Sequence, residues 1–145
     1  MIIRKATKKD IPQVIEMIKE NSPKYPKKLA LQELNEMFSR SLYPPTFIVV
    51  EDKKEIMAFG GYSNSGVDDM IYNLFWINTN SEHSGKGYGR KLIENIIKII
   101  KKEKSPKAKM IILSTKIPKY FNKFGFKSIG QKYDGDYVLM AKRLK

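Results

Sequence analysis

The chain has 145 residues, 41% of them hydrophobic, which bounds it to one globular domain spanning residues 1–145 with a real core. It carries no cysteine and one histidine, which excludes disulfides, thiolate catalysis and cysteine metal sites and speaks against zinc; no metal is expected. The net charge of +13 is scattered, with short clusters only at Lys27-Lys28, Lys101-Lys102 and Lys142-Arg143; it reads as solvated surface, not as a nucleic-acid face, and it argues against a polycationic partner.

Ile2 and Ile3 open a first strand. Asp10 then reads as an N-cap, with Pro12 in the first turn and Gln13 at capping-box spacing. Ile11, Val14, Ile15 and Ile18 form the stripe of a first helix. Ser22-Pro23 and Pro26 break the chain. Leu31, Leu34, Met37 and Phe38 mark a second amphipathic helix, which Pro44-Pro45 end. Residues 46–50 are β-branched and aromatic and predict a strand; 51–54 are a polar turn; 55–62 return as its hairpin partner. Gly60-Gly61 within that partner marks a bulge or a close approach. A loop over 63–69 leads to a long apolar strand over 70–79.

Leu92, Ile93, Ile96, Ile97 and Ile100 line one face of a third helix, stopped at Ser105-Pro106. Residues 109–113 form a short buried strand, and 118–124 allow about two helical turns before Gly125. Strands over 126–133 and 136–144 are joined through Asp134-Gly135. The order β-α-α-β-β-β-α-β-α-β-β predicts an α/β or α+β layer with a mixed sheet. There is no apolar run of ~18 residues to span a membrane. The first residues lack the apolar stretch of a signal peptide, so a cytoplasmic setting is expected.

Between the long strand and the third helix lies Ser84-Gly85-Lys86-Gly87-Tyr88-Gly89-Arg90-Lys91-Leu92. Glycines tolerate positive φ and let a ligand approach the backbone. Free N–H groups at a helix start favour phosphate. Two familiar phosphate loops do not fit. A Walker A loop needs Gly where Asn80 stands and Ser or Thr where Gly87 stands. The dinucleotide fingerprint needs Gly where Arg90 stands. What remains is either a pyrophosphate cradle or an ordinary strand-to-helix loop.

The stretch from Trp76 to Gly89, ending Ser84-Gly85-Lys86-Gly87-Tyr88-Gly89, resembles the R/Q-x-x-G-x-G/A motif of the GNAT superfamily of N-acetyltransferases. Tyr120-Phe121-Asn122-Lys123-Phe124-Gly125-Phe126 resembles that family's F-Y-x-K-x-G-F segment, and Ile3-Arg4-Lys5-Ala6-Thr7 with Asp10-Ile11 resembles its usual start. The resemblance covers nearly the whole chain. It implies an α/β (α+β) fold: a mixed, mostly antiparallel sheet flanked by helices, with the fourth and fifth strands splayed. It also implies acetyl-CoA as co-substrate. Backbone groups of Ile77, Asn78 and Thr79 would bond to pantetheine, and Ser84, Gly85, Lys86, Gly87, Tyr88, Gly89 and Arg90 would hold the pyrophosphate.

The activity so implied is direct acetyl transfer to a small amine or peptide acceptor in a ternary complex. The alternative is a non-catalytic acyl-CoA-binding module on the same fold. The sequence departs from the family's pattern at three places, one of them the short segment 114–118, which implies a reshaped acceptor side of the cleft. Ser84 stands where Arg or Gln is usual. Phe121 stands where a tyrosine often protonates the departing thiolate; Tyr120, one residue earlier, is the remaining candidate acid. Asp69, beside Asp68, is the candidate base; Glu82 and His83 precede the cradle. Trp76 reads as core, while Tyr62 and Tyr72 read equally as core or as acceptor cleft. The acceptor side corresponds to residues 21–45 and the last hairpin, and the oligomeric state is monomer or homodimer.

Overall fold

Apolar residues on both sides of a strand force a helical layer onto each face of the sheet. In the strand Thr46–Asp52 (β2), Phe47, Val49 and Ile48, Val50 alternate, and all four are buried. Phe47 and Val49 pack with Val14, Ile15 and Ile18 of α1 (Ile11–Asn21) and Leu34 of α2 (Lys27–Asn35). Ile48 and Val50 pack with Leu92, Ile93, Ile96 and Ile100 of α3 (Tyr88–Lys101). The computed structural model describes residues 1–40 and 42–145; Ser41, within the stretch expected to shape the acceptor side, lies outside the described residues.

The other elements are β1 (Ile2–Lys5), β3 (Glu55–Asn64), β4 (Ile71–Thr79), β5 (Met110–Thr115), α4 (Pro118–Asn122), β6 (Lys127–Asp134) and β7 (Tyr137–Arg143). They form a seven-stranded sheet in the order β1-β2-β3-β4-β5-β7-β6. Every neighbouring pair is antiparallel except β4–β5, which is parallel. The predicted element order and mixed sheet are both present. Among the described residues, no helix is long and apolar enough to cross a membrane.

Several boundaries shift for local reasons. The second helix ends at Asn35, and Met37 and Phe38 sit in a 3-10 turn, Glu36–Phe38, that tightens the helix end. The last hairpin turns on Gly135-Asp136, because Asp134 pairs with Tyr137. Asp10 makes no side-chain cap to α1. Its carboxylate instead accepts from both ends of the Arg4 guanidinium (2.8 and 2.9 Å) and from the Thr7 N–H (2.7 Å). The Arg4 hydrogen bonds hold the Asp10 carboxyl below its usual range despite its burial. Gln13 also leaves the helix start; its side-chain carbonyl accepts from Ile56 N–H.

Gly60-Gly61 proves to be both a bulge and a close approach. Phe59 pairs with Asn78 and Gly61 with Phe75, so Gly60 alone faces two residues, Trp76 and Ile77. Trp76 takes φ 55, a left-handed conformation rarely adopted by bulky residues. A Cβ on Gly60 would lie 2.5 Å from Ile77 Cδ1, and one on Gly61 would lie 2.6 Å from the Phe75 ring and 2.8 Å from the Phe47 ring. The first neighbour is a flexible side-chain end; the second pair are rigid rings. Overpacking of this kind costs about 1–3 kcal/mol. Gly61→Ala is expected near the upper end of that range and Gly60→Ala near the lower, read as the difference in urea midpoint at constant m-value.

Candidate active site

Pairing between β4 and β5 runs from Ile71–Met110 through Tyr72–Ile111 and ends at Asn73–Ile112. Beyond it the strands part. Residues 74–79 and 113–117 become opposite walls of a cleft of about 820 Å³. Along that stretch the β5-facing backbone groups of β4 have lost their ladder partner, and such groups require another. An extended ligand can satisfy them as an added strand would.

The parted end of β4 is strapped from outside. Asn21, the last residue of α1, donates from Nδ2 to Asn78 Oδ1 (2.9 Å) and to the Thr79 carbonyl (3.0 Å). Asn78, only 8% exposed, donates in turn to the Trp76 carbonyl at 3.2 Å. A polar residue at a buried strand position is thus paired through its side chain. Ile77, Asn78 and Thr79 all line the cleft, and the Thr79 carbonyl is already engaged by Asn21.

At the mouth, Gly87 caps α3 with φ 83. A Cβ there would meet no atom within 4 Å, so the turn is open to a ligand. The first helical bond joins Lys91 N–H to the Gly87 carbonyl, which leaves the N–H groups of Tyr88, Gly89 and Arg90 spare. Ser84, Gly85 and residues 87–90 line the cleft; Lys86 does not, its Nζ lying 3.1 Å from His83 Nδ1. His83 Nε2 is 3.4 Å from Glu55, and Glu55, Glu82 and His83 bring ligand atoms within 4.8 Å of one another. Tyr88 donates to Asp52 at 2.7 Å, tying the helix start to the end of β2.

Tyr120 also lines the cleft, and its hydroxyl stands 3.2 Å from where a Cβ on Gly89 would be. Burial raises its phenol above the usual range. Phe121 is 6% exposed and packs its ring 6.1 Å from that of Phe126. Asp69 lies elsewhere. It is exposed in the turn before β4, at the paired end of the strand, and lines none of the described cavities near the cleft. From Asp69 to the parted segment is roughly 17 Å of extended chain.

Tyr62 and Tyr72 are core residues packed under α3. Trp76, read as core from sequence, does more. It packs on the α1–α2 layer, and its indole N–H donates to Glu33 of α2 at 2.6 Å. Asn21, Glu33 and Tyr25 were not legible as site residues, because their partners lie far along the chain: the Asn21–Asn78 contact spans 57 residues.

The sequence profile of the acetyltransferase (GNAT) domain matches residues 44–128, more than half of the chain. The chain belongs to the GNAT acetyltransferase family. No curated protein matches it in sequence. Among solved structures, this GNAT chain is similar to PaiA N-acetyltransferase from Thermoplasma acidophilum in complex with coenzyme A, with TM-score 0.75 and 19% identity over 99% of this chain and 98% of that one. It is similar to the ribosomal-protein-alanine N-acetyltransferase from Brucella melitensis, with TM-score 0.76 and 18% identity over 99% and 100%. It is also similar to aminoglycoside 6'-acetyltransferase type Ii, with TM-score 0.78 and 19% identity over 99% and 97%. At such identities the likeness establishes the GNAT fold, including the splay of β4 from β5, and leaves the acceptor open.

The Asn21 strap is testable by a double-mutant cycle. Asn21→Ala is expected to lower stability by about 1–2 kcal/mol, since it strands a buried amide. Asn21→Ala with Asn78→Ala should cost less than the two singles summed, with a coupling of about 1 kcal/mol in chemical denaturation.

Proposed function

We propose that this chain transfers an acetyl group from acetyl-CoA to an amine in a ternary complex. The observation that carries the reading is the parted β4–β5 pair leading to a glycine-capped helix start, in a cleft whose lining includes His83, Arg90 and Lys116 and no Asp or Glu. A polyanionic carrier with an extended amide arm fits both halves. Its arm would bond to the open edge of β4, and its pyrophosphate would meet the spare N–H groups of residues 88–90. The expected role of Ser84, Gly85, Lys86 and Gly87 stays part of this proposal, with Lys86 acting as a rim charge.

The chemistry is a single displacement. The amine nitrogen attacks the thioester carbonyl carbon and a C–N bond forms; the charged nitrogen of the tetrahedral adduct loses a proton, the C–S bond breaks to leave an amide, and the departing thiolate takes a proton. Holding both reactants in line supplies much of the acceleration. A backbone N–H of β4 near the Trp76 bulge is the proposed donor to the thioester carbonyl. Tyr120 is the proposed acid: its phenol lines the cleft and burial keeps it protonated. Asp69 is too far to act directly, so the amine proton leaves through solvent. A cytoplasmic monomer or homodimer completes the reading.

A non-catalytic acyl-CoA-binding module is the second reading. Buried Phe121, where an acid would otherwise stand, and the distance of Asp69 favour it. It predicts binding without turnover over a broad amine panel.

Calorimetry with acetyl-CoA is expected to show binding below ~100 μM. No heat at that concentration overturns both readings. Gly87→Val, which adds bulk at a left-handed position in the open turn, should weaken that binding at least about tenfold while the circular dichroism spectrum stays native. Tyr120→Phe should lower kcat by about 10²-fold with little change in the KM for acetyl-CoA. Because the phenol is raised above its ordinary 10.0, this deficit should be constant at every pH below that value. An unchanged kcat makes Tyr120 structural.

A further inference from the structure

A second cavity, of about 590 Å³, lies on the α2 side of β4 and shares Phe75 and Trp76 with the cleft just described. It is large enough for a molecule of drug-like size. Tyr25, Tyr43, Phe75 and Trp76 give it aromatic walls, and Glu33 and Glu36 supply its charge. The Tyr25 and Trp76 rings meet edge to face at 4.8 Å.

The two cavities have opposite chemistry. The chain has 28 Lys and Arg against 15 Asp and Glu, yet among the described residues no Lys, Arg or His lines the second cavity. The first has basic side chains and no acidic one. The carboxylate of Glu33 accepts from the Trp76 indole N–H and from the Tyr25 hydroxyl, both neutral donors. Those bonds fix its position without cancelling its charge. Glu36 accepts from the Ser39 hydroxyl at 3.0 Å. Among the described residues neither glutamate belongs to an ion pair. In a strongly basic protein, an aromatic cavity with two carboxylates and no fixed cation lacks its counter-charge.

Resting on the acetyl-transfer reading, we propose that the acceptor is a small organic polyamine, a compound with at least two amino groups on one compact frame. One amine sheds its proton beside Trp76 and attacks the thioester as written above. A second amine stays charged and is held by Glu36 and Glu33, with the aromatic faces contributing cation–π attraction. A monoamine has nothing to offer the outer carboxylate. The scattered positive charge of the chain argues against such a partner, but the charged side chains lining this cavity are carboxylates, and those are what the ligand meets.

The test is free-thiol release with acetyl-CoA over four acceptors: spermidine (a linear polyamine), neamine (a polyamino sugar), hexylamine and a peptide beginning with alanine. At least one polyamine is expected to exceed hexylamine and the peptide in kcat/KM by about 100-fold, and the two polyamine arms separate linear from cyclic frames. Glu36 is exposed, so Glu36→Gln should fold normally; it is expected to reduce the polyamine-to-hexylamine ratio about tenfold, the equivalent of about 1.4 kcal/mol. Tyr43→Ala is expected to reduce the same ratio. Equal turnover of hexylamine and polyamines, preferred turnover of the peptide, or a ratio indifferent to both substitutions overturns this inference and leaves the transferase reading standing. Failure to bind acetyl-CoA overturns the transferase reading itself.

Discussion

The architecture depends on a hydrogen-bond ladder that stops. Between β4 and β5 it ends at Asn73–Ile112, and both strands continue without each other. Exposed strand edges inside a fold are costly unless something pairs with them. The surrounding structure holds the gap open. β4 stays bonded to β3 on its other side, Asn21 ties its tip to α1, and α3 closes the space beneath. The bulge at Trp76 and Ile77 turns the strand where it leaves its partner, and it exists because Gly60 opposite carries no side chain.

Electrostatics follow the same division. Total charge says little about any one site, since surface charges are screened over about a Debye length. What matters is which side chains the fold gathers. On the β5 side the gathering is basic; on the α2 side it is acidic and aromatic. Phe75 and Trp76 line both. On the proposed reading this division lets an anionic carrier and a cationic acceptor each meet side chains of opposite sign.

Much of the fold was legible because it rests on local patterns. The α3 stripe Leu92, Ile93, Ile96, Ile97 and Ile100 is buried as its spacing predicts, and the glycine turn before it is visible as three closely spaced glycines. The site was legible where backbone carries it. It was opaque where side chains meet across the sheet: no local pattern joins Glu33 to Trp76, 43 residues on. Asp10 misled for a related reason. Its spacing fits a cap of the first helix, but its oxygens are taken by the Arg4 guanidinium on the neighbouring strand and by the Thr7 N–H behind it. Asp69 looked suitable beside a reactive strand because adjacency in sequence does not say which end of the strand opens.

Trp76 stands in two compartments at once. It lines the cleft beside β5 and the cavity beside α2, and its indole is anchored to α2 through Glu33. Free-energy coupling between two sites is reciprocal, so whatever a guest on one side does to this residue, a guest on the other side feels by the same factor. On the proposed reading, a substitution on α2 that shifts the Trp76 indole also reshapes the wall beside β5, although the glycine turn itself is untouched.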